Sequence, residues 1–166
     1  MPSEKFKYPK EGICDCGFGI LEVVIATAVI SVSFFAVFSV ANIAFKGMGE
    51  SLNKVKAGFL LEEGYEAARF MRDKDWGYFS SLSLNVPYFF IFSDGEWRAT
   101  TTQVFEDGAF GRTVTLKEVL RDSDDNISSA GSLDTDSRKL EIRVFWNERG
   151  GEKEIKAASF LDNIFE

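Results

Sequence analysis

The sequence predicts an α+β protein in which one long N-terminal helix packs by its upper half on an antiparallel β-sheet head. Three observations predict this fold. Residues 23–45 form an apolar run without a charged residue or a proline. An apolar stripe with helical spacing continues from there to about residue 73. Beyond the stripe, apolar and polar residues alternate with a period of two, and turns rich in Gly and Asp separate the segments.

The apolar run predicts a single membrane span. At about 1.5 Å per residue, a helix over residues 23–45 is about 35 Å long, which is enough to cross a hydrocarbon core of about 30 Å. A secretory signal peptide has a shorter apolar core that ends in a small-residue cleavage site, and no such site follows here. A buried core helix is rarely apolar on every face. Each flank of the run carries three lysines, so positive charge does not decide the orientation.

Composition excludes several classes of function. The chain has 166 residues, a net charge of −7 and no His. An acidic chain is poorly suited to neutralising phosphates, so we expect no direct nucleic-acid binding. Without His the chain lacks the commonest general base and the commonest transition-metal ligand. Cys14 and Cys16 alone do not make a zinc site, which normally needs four ligands. We therefore expect no enzyme activity, no metal and no cofactor.

One short motif stands at the start of the apolar run. Residues 17–26 read GFGILEVVIA, with a Gly17-Phe18 step and with Glu22 as the fifth residue counted from Phe18. The segment resembles the processing site of type IV prepilins and pseudopilins. In that family a short polar leader ends in Gly, and Phe and a hydrophobic stretch with Glu at the fifth position follow. Residues 14–45 carry the resemblance.

The resemblance implies a route of maturation and assembly. A prepilin peptidase would cut after Gly17 and N-methylate Phe18. The mature chain would wait in the inner or cytoplasmic membrane with its head outside the cytoplasm, in contact with membrane lipid. An assembly platform would then move it into a cell-surface pilus or a periplasmic pseudopilus with other pilin or pseudopilin subunits. In the filament core Glu22 would pair with a neighbour's N-terminal amine, because low dielectric strengthens such a pair.

Three departures from the family pattern refine this expectation. Gly19 stands where Thr or Ser is usual, and acids are mixed with the lysines of the leader. Ser39 stands where the major pilins usually have a Pro, which indicates a minor subunit. Residues 62–76 are similar to minor pilins of the pilus-modification kind. The machine, whether pilus, secretion or DNA uptake, the position in the fibre and any adhesion ligand stay open.

The chain divides into four predicted segments. They are a cleaved leader 1–17, a transmembrane and filament-core helix 18–45, an amphipathic upper helix and linker 46–78, and an antiparallel β head domain 79–166. The upper helix is expected to loosen near Gly47 and Gly49 and to pack on the head through one broad stripe. The stripe consists of Leu52, Val55, Phe59 and, offset, Leu61, Tyr65, Ala68 and Met71.

The head is predicted to contain four or five strands. Residues 87–101 form a hairpin around Asp94-Gly95, and residues 111–122 form a strand with a slip in register near Val119. Residues 138–162 form a second hairpin that turns at Gly150-Gly151. Its inward residues are predicted to be Leu140, Ile142, Val144 and Trp146 on the first strand, and Ile155, Ala157 and Phe160 on the second.

An acidic stretch, residues 122–136, joins two of the predicted strands. Asp122, Asp124 and Asn126 match the first three ligand positions of an EF-hand loop. Ile127 and Leu133 stand where the turn Gly and the bidentate Glu are needed, so the match fails. We interpret the stretch as a solvated surface loop. Calcium binding in another geometry, with Asp134 and Asp136 folding back, stays open.

Two other classes of function compete with filament assembly. The first is a signal-anchored single-pass surface protein whose β head binds a ligand, with Tyr88, Trp97 or Trp146 as an aromatic platform. The second is a membrane-anchored enzyme that uses a carboxylate pair, although no pattern in the sequence marks one. The Gly17-Phe18 step with Glu22 in register favours the filament subunit over both.

Overall fold

The computed structural model describes residues 19–165, so Gly17 and Phe18 lie outside the described residues. The chain divides into two compact units between Lys46 and Gly47. Helix α1 covers Ile20–Lys74 and contributes to both units, and a short helix α2 covers Trp76–Ser81. Seven strands follow: β1 Pro87–Ser93, β2 Glu96–Thr100, β3 Phe105–Glu106, β4 Phe110–Arg121, β5 Ile127–Ser128, β6 Ser132–Glu148 and β7 Gly151–Asp162.

The first unit contains the beginning of α1. Gly19 precedes the helix, and its carbonyl oxygen accepts hydrogen bonds from the backbone amides of Glu22 at 2.9 Å and Val23 at 3.2 Å. These bonds close the first turn of the helix, which begins at Ile20; the predicted start at Phe18 lies outside the described residues. The large apolar side chains that follow are exposed in the structure, as shown by Phe34 and Phe35 at 75% each.

The second unit contains one antiparallel sheet. The strand order is β2-β1-β4-β6-β7, and the two short strands β3 and β5 pair with β4. Both predicted hairpins are confirmed. The first turns at Asp94-Gly95 with φ of 54° and 81°, and the second turns at Arg149-Gly150, one residue before the predicted Gly150-Gly151, because Gly151 already pairs with Glu148. The β4·β6 register shifts between Lys117 and Val119, which confirms the predicted slip. The α+β fold class is therefore confirmed.

The core of the second unit lies between the sheet and the upper helix, which is the Gly47–Lys74 part of α1. The helix contributes small residues to this core, and a small side chain lets two backbones approach closely. The helix residues are Ala57, Gly64, Ala67, Ala68 and Met71, and the sheet residues include Val114, Leu116, Leu140, Ile142, Val144 and Trp146. The predicted inward face of β6 is thus confirmed.

Two details of the packing differ from the sequence-based expectation. Leu52, Val55 and Phe59 are more than half exposed, because the helix turns its Ala and Gly face toward the sheet instead. In β7, Leu161 is buried and Phe160 is exposed, since side chains alternate and Leu161 shares the face of Ile155.

The middle of α1 also differs from expectation, because the helix is assigned through Gly47 and Gly49 without the predicted loosening. Its end at Lys74 agrees with the predicted end at about residue 73. Helix α2 was not predicted. It begins after Asp75, whose carboxylate accepts a hydrogen bond from the backbone amide of Tyr78 at 3.0 Å and so caps the helix.

Two glycines of the upper helix provide a matched test of its packing. A Cβ added at Gly64 would lie 2.9 Å from Cδ of Arg112 and 3.3 Å from Cγ2 of Ile142, whereas one at Gly58 would meet nothing within 4 Å. We expect Gly64→Ala to lower the free energy of unfolding by about 1–3 kcal/mol through overpacking. Gly58→Ala should raise it by up to about 1 kcal/mol. Denaturant unfolding of the full chain in detergent measures both, and equal effects would show that the helix does not pack here.

Candidate functional site

Glu22 lies in the first turn of α1 and is exposed. The first four backbone N–H groups of a helix lack partners within the helix, and the helix dipole places partial positive charge there. A carboxylate in the first turn is stabilised by about 0.3–1 kcal/mol for this reason. The structure therefore places the predicted assembly residue where its charge costs least at the edge of the apolar run. Gly17 and Phe18 are outside the described residues.

The polar side chains of the apolar run bond to the helix itself. Thr27, Ser31 and Ser33 donate to the carbonyl oxygens of Val24, Thr27 and Val29 at 3.0, 2.7 and 2.8 Å. The Asn42 side-chain amide donates to the Phe38 carbonyl oxygen at 2.9 Å. Satisfying these groups within the helix removes much of their cost in lipid.

Within residues 19–165, α1 is the one helix long and apolar enough to cross a membrane. Its most apolar window has a mean hydropathy of 2.5, and no residue of that window is buried. This coarse property of the apolar run agrees with the sequence-based expectation.

The second unit buries a charged side chain, Arg112, which sequence reasoning missed. Its guanidinium donates to a carboxylate oxygen of Glu63 at 2.8 Å and of Glu106 at 3.2 Å. It also donates to the backbone oxygens of Leu60 and Phe90, each at 3.3 Å. The strand pattern contained a signal for this burial, since Arg112 has the same parity in β4 as the inward Val114 and Leu116.

The three predicted aromatic platform residues lie in different environments. Trp146 is buried and contributes to the core, and the half-buried Tyr88 accepts a hydrogen bond from the Ser83 amide through its hydroxyl oxygen at 3.0 Å. Trp97 is half-buried, and one ring face lies 5.6 Å from the guanidinium carbon of Arg112. The ring of Trp146 is thus not accessible to a ligand, and the ring of Trp97 has one face occupied by Arg112.

Several cavities of ligand size occur in the second unit. One of about 330 Å³ lies beside Trp97 and is lined by Phe70, Tyr78 and the Lys74–Glu96 ion pair. Another of about 660 Å³ lies on the sheet; among its lining residues are Phe89, Gln103, Thr113, Thr115, Arg143 and Phe145. Small-molecule sites commonly have volumes of about 300–1,000 Å³, so both are large enough for a ligand.

The acidic stretch is more ordered than a solvated loop. Asp122 accepts hydrogen bonds from the backbone amides of Asp124 at 3.0 Å and Asn126 at 2.9 Å, and strand β5 begins directly afterwards. These backbone hydrogen bonds, chiefly the one from Asn126, lower the pKa of Asp122. Its carboxylate therefore holds the β4–β5 turn together. Within residues 19–165, no three His, Cys, Asp or Glu side chains converge as metal ligands.

Asp134 lies in β6 and is engaged with the neighbouring strand. Its carboxylate accepts from Nε of Arg121 at 2.5 Å, and this bond, followed by one from Ser137, lowers the pKa of Asp134 to about 2. Asp134 is thus tied to Arg121 and does not fold back toward Asp122.

These residues define a class of protein: an α+β chain with an antiparallel sheet and an N-terminal helix able to span a membrane. Comparison with protein-family models, curated proteins and solved structures finds no match to this chain.

The Arg112 ion pairs generate one prediction. Glu63→Gln leaves the buried guanidinium without its nearest negative charge, and we expect a loss of about 1–3 kcal/mol in the free energy of unfolding. Glu66→Gln is the matched control. It lies on the same helix but pairs with Arg69 at the surface, so its effect should stay below about 0.5 kcal/mol. Equal effects of the two variants in denaturant unfolding would contradict a structural role for the Glu63 pair.

The Asp134–Arg121 pair makes stability depend on pH. The folded pKa of about 2 lies below the usual value of 3.8, so the stabilisation is fully present above about pH 4 and is lost as the pH falls toward 2. We expect Asp134→Asn to cost about 2 kcal/mol at pH 7 and almost nothing at pH 2. Asp136→Asn, two residues away, should change stability little at either pH. Unfolding curves across pH 2–7 test this, and a constant difference between wild type and Asp134→Asn would refute it.

Proposed function

We propose that this chain is a subunit of a type IV pilus or a related pseudopilus, of the minor pilin kind. In this proposal it is cut after Gly17, methylated at the Phe18 amine and assembled through α1. The observation that carries the proposal is Glu22, the fifth residue from Phe18, in the first turn of a 55-residue helix that begins with an uncharged apolar run.

The position of Glu22 supports a role in assembly. A carboxylate that only ended a membrane span would need no particular distance from a cleavage step. Here Glu22 lies at the helix start, and cleavage after Gly17 would create an amine about one turn away, on Phe18. In a filament core with little water, that amine and the carboxylate of a neighbouring subunit would attract strongly.

The exposed apolar surface of α1 supports filament assembly as well. In the first unit its large apolar side chains are exposed from Ile20 to Phe45, and in the second unit Met48, Leu52, Val55 and Phe59 are exposed as well. Lipid would cover the first part, and neighbouring subunits would cover both parts in a fibre. A chain that only needs an anchor has no use for the extension at Leu52, Val55 and Phe59.

A signal-anchored surface protein with a ligand-binding head is the second candidate. The cavities beside Trp97 and over Thr113 favour it, because both have the volume of a ligand site. The two candidates differ at the N-terminus, since a signal-anchored chain keeps its leader and a pilin subunit loses it.

Processing is the direct test. In cells that contain an active prepilin peptidase, the mature chain should begin at Phe18 and carry one additional methyl group on its amine. Mass spectrometry of the intact N-terminus measures both. A Gly17→Leu variant should remain uncut, while Gly12→Leu in the same leader should be cut normally. A chain that retains residues 1–17 despite an active peptidase would refute the filament proposal and favour the anchored binding protein.

The charge of Glu22 is tested separately. Glu22→Gln keeps the size of the side chain and leaves the scissile step intact, so cleavage and membrane levels should hold. Incorporation into filaments should fall more than about tenfold, because an unpaired buried amine costs several kcal/mol. Glu50→Gln, the same change further along α1, should assemble normally. The measurement is the ratio of sheared filament to membrane fraction, and normal assembly of Glu22→Gln would eliminate charge pairing.

A further inference from the structure

Among residues 19–165, strand β7 is an edge strand with one unpaired side. It is 12 residues long, and its partner is β6. Alternate residues of an edge strand direct their N–H and C=O groups away from the sheet, where another strand can bind them. Charges at Glu152, Lys153, Glu154 and Lys156 protect the first half of this edge, whereas residues 157–161 carry none.

The second half of β7 is complementary to itself. In an antiparallel pair of two β7 strands centred on Ser159, Lys156 lies opposite Asp162 in both directions. Phe160, which is 41% exposed, lies opposite Ala158 on the same face. Opposite charges and a large side chain beside a small one are the cross-strand pairs that stabilise sheets, by about 0.2–1 kcal/mol each.

Other registers of the same pairing are less favourable. Residues that lie opposite each other in an antiparallel pair place their side chains on the same face of the sheet. Because the two strands are copies of each other, the two-fold axis between them must therefore pass beside a residue and not between two residues. Centres at 153, 154, 156, 157 and 158 place like charges opposite each other or a charge opposite itself. A centre at Ile155 opposes Glu154 and Lys156, but it leaves Phe160 uncovered and competes with the ion pairs of Glu154 to both Arg143 and Lys156, whereas a centre at Ser159 competes with the Lys156–Glu154 pair and leaves Arg143 undisturbed.

The upper helix leaves room for the second strand. Gly64 lies against Arg112 of β4 and Ile142 of β6, so the helix backbone sits over these two strands, and the Tyr65 side chain reaches β7, where its hydroxyl oxygen lies 3.5 Å from that of Ser159. At about 4.8 Å between strands, the β6 strands of two copies would lie about 14 Å apart. Packed helices need only about 8–10 Å, so the two upper helices would not collide.

We infer that β7 is a docking edge for β7 of a second copy of this chain, paired antiparallel about Ser159. The two β7 strands are related by a two-fold axis perpendicular to the sheet, so the upper helices of the two copies run in opposite directions. The contact therefore joins two heads edge to edge in opposite orientations. Subunits that stand side by side with parallel helices cannot form it. The contact therefore lies outside the assembly of one filament and goes beyond the proposed function.

Disulfide trapping tests the register in the full chain, purified in detergent micelles. In a Cys14→Ser, Cys16→Ser background, Ser159→Cys should form a disulfide-linked dimer on mild oxidation, because residues facing each other at the centre lie within bonding reach. Ile155→Cys in the same background should remain monomeric. Efficient trapping at residue 155 and not at residue 159 would overturn the register, and trapping at neither would overturn the dimer.

Charge exchange tests the same contact without a cross-link. Lys156→Asp should weaken the dimer at least about tenfold, and Lys156→Asp with Asp162→Lys should restore it. Lys153→Asp is the matched control, since it makes the same change on the same strand but faces no charge in this register. Sedimentation velocity measures the dimer constants. A wild type that stays monomeric at about 0.1 mM, or a double variant that stays as weak as the single one, would contradict the inference.

Discussion

The buried guanidinium of Arg112 fixes how the upper helix lies on the sheet. Among the described residues it is the one charged side chain inside the core, and an unpaired charge there would be costly. Its partners come from the helix, through Glu63 and the Leu60 carbonyl, and from the sheet, through Glu106 and the Phe90 carbonyl. Only a glycine at position 64 lets the helix backbone approach this side chain closely enough. The ion pairs and the glycine thus favour one rotation of the upper helix about its own axis over the others.

That rotation determines what the helix offers to its surroundings. With the Ala and Gly face turned to the sheet, Leu52, Val55 and Phe59 point away from it. The same packing that stabilises the second unit therefore leaves an exposed apolar row on the upper helix. In the first unit, Glu22 precedes the apolar run, and the hydrogen bonds of Thr27, Ser31 and Ser33 to the helix backbone satisfy the hydroxyl groups of that run.

The sheet distributes its charges unevenly, and this has consequences for association. Arg143 of β6 holds Glu152 and Glu154 beside it, so the first half of β7 is both charged and internally paired. Its second half has neither property. Natural edge strands usually resist pairing through charges, prolines or bulges, and here only half of the edge has such protection. The opposite end of the sheet is the short β2, only five residues long, and a short edge is a weaker template for pairing.

The sequence by itself determined the features that depend on neighbouring residues. The uninterrupted apolar run predicted the first part of α1, the Gly-containing turns near residues 94–95 and 150–151 predicted both hairpins, and the alternation in residues 138–148 predicted the inward face of β6. The tertiary structure decided which face of α1 packs, because small residues and the apolar row 52, 55 and 59 both have helical spacing. It also decided that Arg112 is buried, since its partner Glu63 lies 49 residues away in the chain. Pairings over such distances depend on how the elements fit together, and the period of one segment carries no information about them.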